Sequence, residues 1–446
     1  MTSTSTKLEP CFLTAAEAAA KIKACTLTSE ALVRSCLDRI AARDADVKAW
    51  LYLDPDYAVR QAREIDKRPA THPLHGLPFG VKDVMDTADM PTTQNSGFYQ
   101  GHRPTKDAAC VAIVRQRGSV VLGKTDTVEY ASNGRRAATR NPYNLAHTPG
   151  GSSSGSGAAV GDFQVPLAFG TQTAGSHIRP ASFNGIYGLK PTWGIVSREG
   201  FKQFSVSLDT VGWYGRGVDD LALVASAFEL EGMGDTVAAE ASSLRVAYCE
   251  TPFWDKAEAA THQAMETAAH RLEKAGATII PLRLSPAFAR LHDAQMTVMH
   301  GEGRWAFLPE YLVQKGDLQS ELLLTATGQR GVTPQSMIAA YDLAASCRRE
   351  FDALFGDFDV VLTPAAAGEA PAGVNFVGDY VFNGFWTLLH VPCLAIPTTT
   401  GSQGLPVGIQ LVGPRMSDAR LIAIARALAP VIDTEAEERL FRLRAA

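Results

Sequence analysis

Apolar positions in this chain recur first at helical spacing and later in short continuous runs. Leu32, Val33, Cys36, Leu37 and Ile40 share one face of a helix predicted over 29–43. Upstream, Thr14-Ala15-Ala16-Glu17 has the pattern of a capping box and opens an Ala-rich helix reaching Cys25. From 77 to 84 the pattern turns strand-like and ends in Lys82-Asp83. A helix is predicted over 111–117, followed by a short buried strand, Val120-Val121-Leu122. The run 165–169 reads as another buried strand and feeds directly into Gly170. A strand at 245–249, a helix near 256–275 stopped by Gly276, and a strand at 278–282 give a β-α-β pattern. A strand over 359–362 and a helix over 418–428 close the chain.

Alternating strands and helices imply an α/β fold, a mixed β-sheet covered by helices on both faces. No internal repeat is visible, and the only low-complexity stretch is the Gly/Ser run at 150–157. Apolar, strand-like sequence resumes within ten residues of it, which suits a buried loop better than a linker. One large domain is therefore expected over 1–446: N-terminal helices at 1–70, a catalytic core at 71–240, and a sheet continuation with a substrate-pocket region at 241–446.

Composition narrows the function classes. The 446 residues are 46% hydrophobic and 20% charged, as expected of a soluble globular protein with a sizeable core. A net charge of −5 argues against a nucleic-acid partner, and leaves room for self-association as a homodimer or for a small partner subunit. No apolar run is long enough to span a membrane, and the polar first ten residues lack a signal-peptide core. Seven scattered cysteines without a C-x-x-C pair read as reduced thiols in a cytoplasm. Ten dispersed histidines form no metal pattern, so neither a metal nor a cofactor is expected.

The candidate chemistry lies in three segments. Gly80-Val81-Lys82-Asp83 ends a strand, Gly150 to Gly157 is rich in serine, and Gly170-Thr171-Gln172-Thr173-Ala174-Gly175-Ser176 follows the strand at 165–169. Together they hold a hydroxyl nucleophile, a relay hydroxyl, an amine base and glycine-bearing backbone whose N–H groups can face an oxyanion. Those are the parts of an acyl-transfer enzyme that has no catalytic histidine.

These segments, continuing through Lys190, resemble the signature region of the amidase signature family. The likeness extends to Gly123-Lys124-Thr125-Asp126, Ser207-Leu208-Asp209-Thr210, Trp386-Thr387-Leu388-Leu389 and the run from Leu405 to Gly413. The resemblance implies an amidohydrolase acting on linear amides through an acyl-enzyme. It assigns the base to Lys82, the relay serine, held by a cis peptide, to Ser152, and the nucleophile to Ser176. The N–H groups of Thr173, Ala174, Gly175 and Ser176 are then the expected oxyanion hole. Lys82 serves as a base only when neutral, which burial beside Phe79 and Val81 favours.

Two other readings arise. Gly151-Ser152-Ser153-Ser154-Gly155 fits G-x-S-x-G, with Asp359 and His390 following in α/β-hydrolase order, although prolines break the approach to Gly151. The other is a member of an amidotransferase complex, or a non-catalytic component of one. The family's frequent Gly-Thr-Asp-Thr-Gly-Gly-Ser-Ile-Arg is altered here: Gln172 and Ile178 replace the Asp and Arg together, and Arg179 stands one place later. That departure makes Arg179 a candidate for holding a substrate carboxylate, with Ser153 and His177 as further substrate-binding candidates. The expected substrate is a small-molecule amide or urea derivative, carboxylate-bearing if Arg179 faces the site. Leu291, Met296, Met299, Trp305 and Phe307 are either pocket lining or core.

Overall fold

The computed structural model describes residues 8–132, 136–230, 240–314 and 318–444. Its centre is an 11-stranded sheet. In chain order the strands are β1 (Trp50–Leu53), β2 (Pro78–Lys82), β3 (Val120–Thr125), β4 (Leu167–Gln172), β5 (Tyr187–Lys190) and β6 (Thr210–Gly215). They continue as β7 (Arg245–Tyr248), β8 (Thr278–Pro281), β9 (Val360–Pro364), β10 (Cys393–Thr400) and β11 (Pro406–Val412). The spatial order is β1-β3-β2-β4-β6-β5-β10-β11-β9-β7-β8. The sheet is mixed: β2 runs parallel to β3 and β4, β7 runs parallel to β8 and β9, and the central pairs are antiparallel.

Every residue of β2 to β6, β9 and β11 is buried, so both faces of the central sheet are covered. This explains why these strands read as continuous apolar runs without alternation. Helices Ser154–Gly161 and Ile178–Phe183 flank β2 to β5 and the β10–β11 hairpin, and helices Ala259–Lys274 and Asp418–Ile432 also cover that hairpin. The predicted capping box is present: Glu17 N–H donates to Thr14 Oγ1 at 3.1 Å, and Thr14 N–H donates to Glu17 Oε2 at 2.9 Å.

The topology fixes where chemistry can sit. Parallel pairing of Phe79 with Leu167 and Gly80 with Ala168 brings the C-terminal ends of β2 and β4 to one edge. Lys82 ends the first strand, and Gln172 ends the second and leads into residues 173–176. The Gly/Ser run is drawn to the same edge because half of it is helix. Helix Ser154–Gly161 is entirely buried, and its Gly155 lies against the backbone that leads into β1. A Cβ there would meet Ala49 O at 2.2 Å and Asp126 N at 2.4 Å, so only glycine allows this approach.

Among the described residues, no helix is long and apolar enough to cross a membrane. All seven cysteines are free. No group of His, Cys, Asp and Glu side chains among the described residues is placed to hold a metal ion.

Candidate active site

Lys82 is fully buried at the end of β2, with its Nζ 2.8 Å from Ser152 Oγ, 3.0 Å from Ser153 Oγ and 2.7 Å from Thr171 Oγ1. Burial holds this amine well below the usual lysine range, with the Asp209 carboxylate opposing the shift. The hydroxyl of Ser153 is committed elsewhere: it donates to Thr171 O at 3.2 Å and accepts from Thr171 N–H at 3.1 Å. Towards Lys82 it can only accept. A neutral amine has two protons and one lone pair. Its protons fit Ser153 and Thr171, which leaves the lone pair for the proton of Ser152.

The Gly151–Ser152 peptide bond is cis. Both peptide carbonyls around Ser152 are held. Gly151 O accepts from Arg179 Nη2 at 2.6 Å, and Ser152 O accepts from Thr127 Oγ1 at 3.0 Å and Val128 N–H at 3.2 Å. The serine-rich segment and the strand-end loop are stitched directly, since Ser153 N–H donates to Ser176 O at 3.3 Å.

Ser152 and Ser176 face one cavity of about 140 Å³, lined also by Thr173, Ala174 and Gly175. Ser176 is partly exposed to it while its flanking residues are buried. The backbone N–H groups of residues 173–176 form no hydrogen bond with a described residue, and they remain available to a ligand. The carbonyls of the same loop are anchored from behind. Gln295 Nε2 donates to Thr173 O at 3.2 Å, and Thr387 Oγ1 donates to Ala174 O at 3.0 Å. Thr173 Oγ1 donates to Asp209 Oδ1, whose partner oxygen accepts from Phe204 N–H and Ser205 N–H. Burial raises Asp209 to about 6, against these hydrogen bonds.

Gln172, in place of the frequent aspartate, accepts through Oε1 from both His177 N–H and Ile178 N–H at 3.0 Å. Its Nε2 donates to Thr387 Oγ1 at 3.0 Å. A neutral amide thus caps the turn after Ser176 and links it to helix Val381–Leu388 without needing a charged partner. Ile178 is buried in the hydrophobic core.

Two of the substrate-contact candidates, Ser153 and His177, lie outside the described cavity lining. Ser153 lies behind the cavity, locked to Lys82 and Thr171. His177 is fully buried under the sheet, stacked on Tyr214 with ring centroids 3.9 Å apart, its Nε2 3.1 Å from Trp213 O. Burial pushes this imidazole down to about 3, so it is neutral. Arg179, by contrast, does line the cavity, along with Val128, Arg136, Phe204, Met299 and Tyr380. Of the uncertain apolar residues, Met299 reaches the cavity, Leu291 and Phe307 are core, and Trp305 is 64% exposed. Phe204, Arg136 and the segment 376–380 were not singled out by sequence, because loops far apart in the chain bring them in.

The Ser-Asp-His alternative is not assembled. Asp359 pairs with Arg245 and Arg420, whereas His390 stacks on Trp193 and lies 2.8 Å from Ser207 O and 3.2 Å from Arg348 Nη2. Neither is a partner of Ser153.

The Amidase family model matches residues 31–422. A glutamyl-tRNA(Gln) amidotransferase subunit from Acidothermus cellulolyticus is 33% identical, over 93% of this chain and 93% of the relative. Its counterpart from Lysinibacillus sphaericus is 31% identical over 93% and 95% respectively. Among solved structures, native peptide amidase from Stenotrophomonas maltophilia superposes with a TM-score of 0.77 at 28% identity, covering 94% of this chain and 96% of that one. The chain belongs to the amidase family and is accordingly an enzyme acting on a C–N amide bond.

Proposed function

We propose that this protein is an amidohydrolase that releases ammonia from a small primary amide through an acyl-enzyme on Ser176. The observation that carries the reading is the buried Lys82 amine 2.8 Å from Ser152 Oγ, at a cavity shared with Ser176. Ser176 Oγ attacks the amide carbon while its proton passes to Ser152 Oγ, and the proton of Ser152 passes to Lys82 Nζ. The carbonyl oxygen, now negative, is received by the N–H groups of residues 173–176. The C–N bond breaks as Lys82 returns its proton, through Ser152, to the leaving nitrogen. Water, deprotonated along the same path, then releases the acid and restores Ser176.

The cavity is small, which suits a short acyl group. Arg179 is 3% exposed and charged, and its Nε and Nη1 have no partner among the described residues. A carboxylate on the acyl chain supplies the missing acceptors, so short dicarboxylic monoamides or carboxylated urea derivatives are the favoured substrates.

The likeness to the amidotransferase relatives over nearly the whole chain favours a second reading, an ammonia-producing component that works with a small partner protein. Ammonia release by the purified chain, across neutral and carboxylate-bearing primary amides, tests both. Steady turnover without a partner supports the hydrolase. Turnover only after adding a partner supports the amidotransferase reading, and none with either contradicts an active amidase.

A further inference from the structure

Among the described residues, the cavity next to Ser176 is lined by two cationic side chains, Arg136 and Arg179, and by no carboxylate. Arg179 is fixed. Its Nη2 donates to Gly151 O at 2.6 Å, and Gly378 packs so closely that a Cβ there would lie 2.9 Å from Arg179 Cδ. It is held in place, yet Nε and Nη1 have no partner among the described residues. An unpaired charged donor in a buried site is costly unless a ligand satisfies it.

Arg136 is half-buried and forms no ion pair with a described residue. The nearby Asp379 is exposed, and its Oδ1 accepts from Val381 N–H at 2.9 Å. It makes no ion pair with either arginine. The two guanidiniums repel each other across a small, partly enclosed space, and the nearby Asp379 charge acts on Arg179 in the opposite sense without supplying a hydrogen bond to it. One carboxylate has two oxygens and about four acceptor sites, enough for both donors.

We propose that Arg136 and Arg179 together grip one carboxylate of the substrate's acyl portion, so that Arg136 is a specificity-determining residue beyond Arg179. This rests on the amidohydrolase reading for its substrate, and on the cavity alone for the anion. A neutral amide cannot bridge the pair, and it leaves the free donors of Arg179 without an anionic acceptor.

The test separates binding from turnover. Succinate binding is measured calorimetrically on Ser176→Ala protein, with and without Arg136→Gln. Kinetics are measured with the monoamide of succinic acid and with butyramide. We expect Arg136→Gln to raise the Kd for succinate and the KM for the monoamide by about 10- to 100-fold. Its kcat should change by less than about threefold, and the loss on butyramide should be at least about tenfold smaller. Arg136→Lys, which keeps the charge, should recover part of the loss. Unchanged succinate binding, or equal KM effects on both amides, overturns the proposal. If succinate binding depends on Arg136 while no amide is turned over, the hydrolase reading fails and the anion site stands. If amides are hydrolysed but succinate does not bind, the site fails and the hydrolase reading stands.

Discussion

Arg179 reaches back 28 residues in sequence to donate to the carbonyl of Gly151 at 2.6 Å, fixing the peptide that carries Ser152. One side chain thus supports the relay serine and faces the cavity. Both roles depend on a planar fork with several donors, which lysine does not have. Arg179→Lys should therefore lower kcat/KM by about tenfold on neutral amides and by about 100-fold or more on carboxylate-bearing ones. Equal losses on the two classes would reduce Arg179 to a support for Gly151.

The amine at position 82 gives a second prediction. Lys82→Met keeps the volume but removes the base, so kcat should fall by about 10²- to 10⁴-fold with the fold retained. The sign of the pH effect follows from the depressed amine. Between its folded value and 10.5 the unfolded chain binds more protons than the folded one, so this lysine makes stability rise with pH across that window. Denaturation at several pH values should show a shallower rise for Lys82→Met. A steeper rise, or near-native turnover, would contradict a buried neutral lysine.

Asp209 acts through others. It holds Thr173 in the loop after β4, holds Phe204 in the cavity wall, and is the anion that favours charge on Lys82. In the wild type, activity should fall as pH drops through the Lys82 titration, because protonation removes the acceptor. Asp209→Asn removes the opposing charge, so the acidic limb of kcat/KM should move to lower pH while kcat falls. A lower kcat with an unmoved limb would make Asp209 a structural anchor only.

Much of this was legible in sequence where chemistry coincides with strand ends. Lys82 stands out because it ends a short apolar run, and Ser176 because a glycine-bearing loop carries it after the run 165–169. The helix Ser154–Gly161 was not legible, since its glycines oppose helical propensity and tight packing overrides them. Helix Val381–Leu388 is short and buried all round, so it has no polar outer face to mark it as a helix in the sequence. Thr171 as a partner of Lys82 follows only from the alignment of two parallel strands that are distant in the chain. His177 beside the nucleophile reads either as a substrate contact or as a structural residue, and its ring stacks on Tyr214 under the sheet.

The tight approach at Gly155 carries a stability prediction. In Gly155→Ala the new methyl group would lie on the hydrogen bond from Asp126 N–H to Ala49 O. Backbone must move on both sides, so we expect a loss of about 2–3 kcal/mol and a lower Tm by calorimetry. An unchanged Tm would mean that the β1–β3 edge yields more readily than its packing suggests.

The central claim is that Ser176 becomes acylated, and covalent capture tests it most directly. The protein is treated with an organophosphonate or a slowly hydrolysed amide, and the adduct is located by intact mass and peptide mapping. We expect one adduct per chain, on Ser176, and its loss in Ser176→Ala and strong slowing in Lys82→Met. An adduct on Ser152 or Ser153 with Ser176 unmodified would contradict the account.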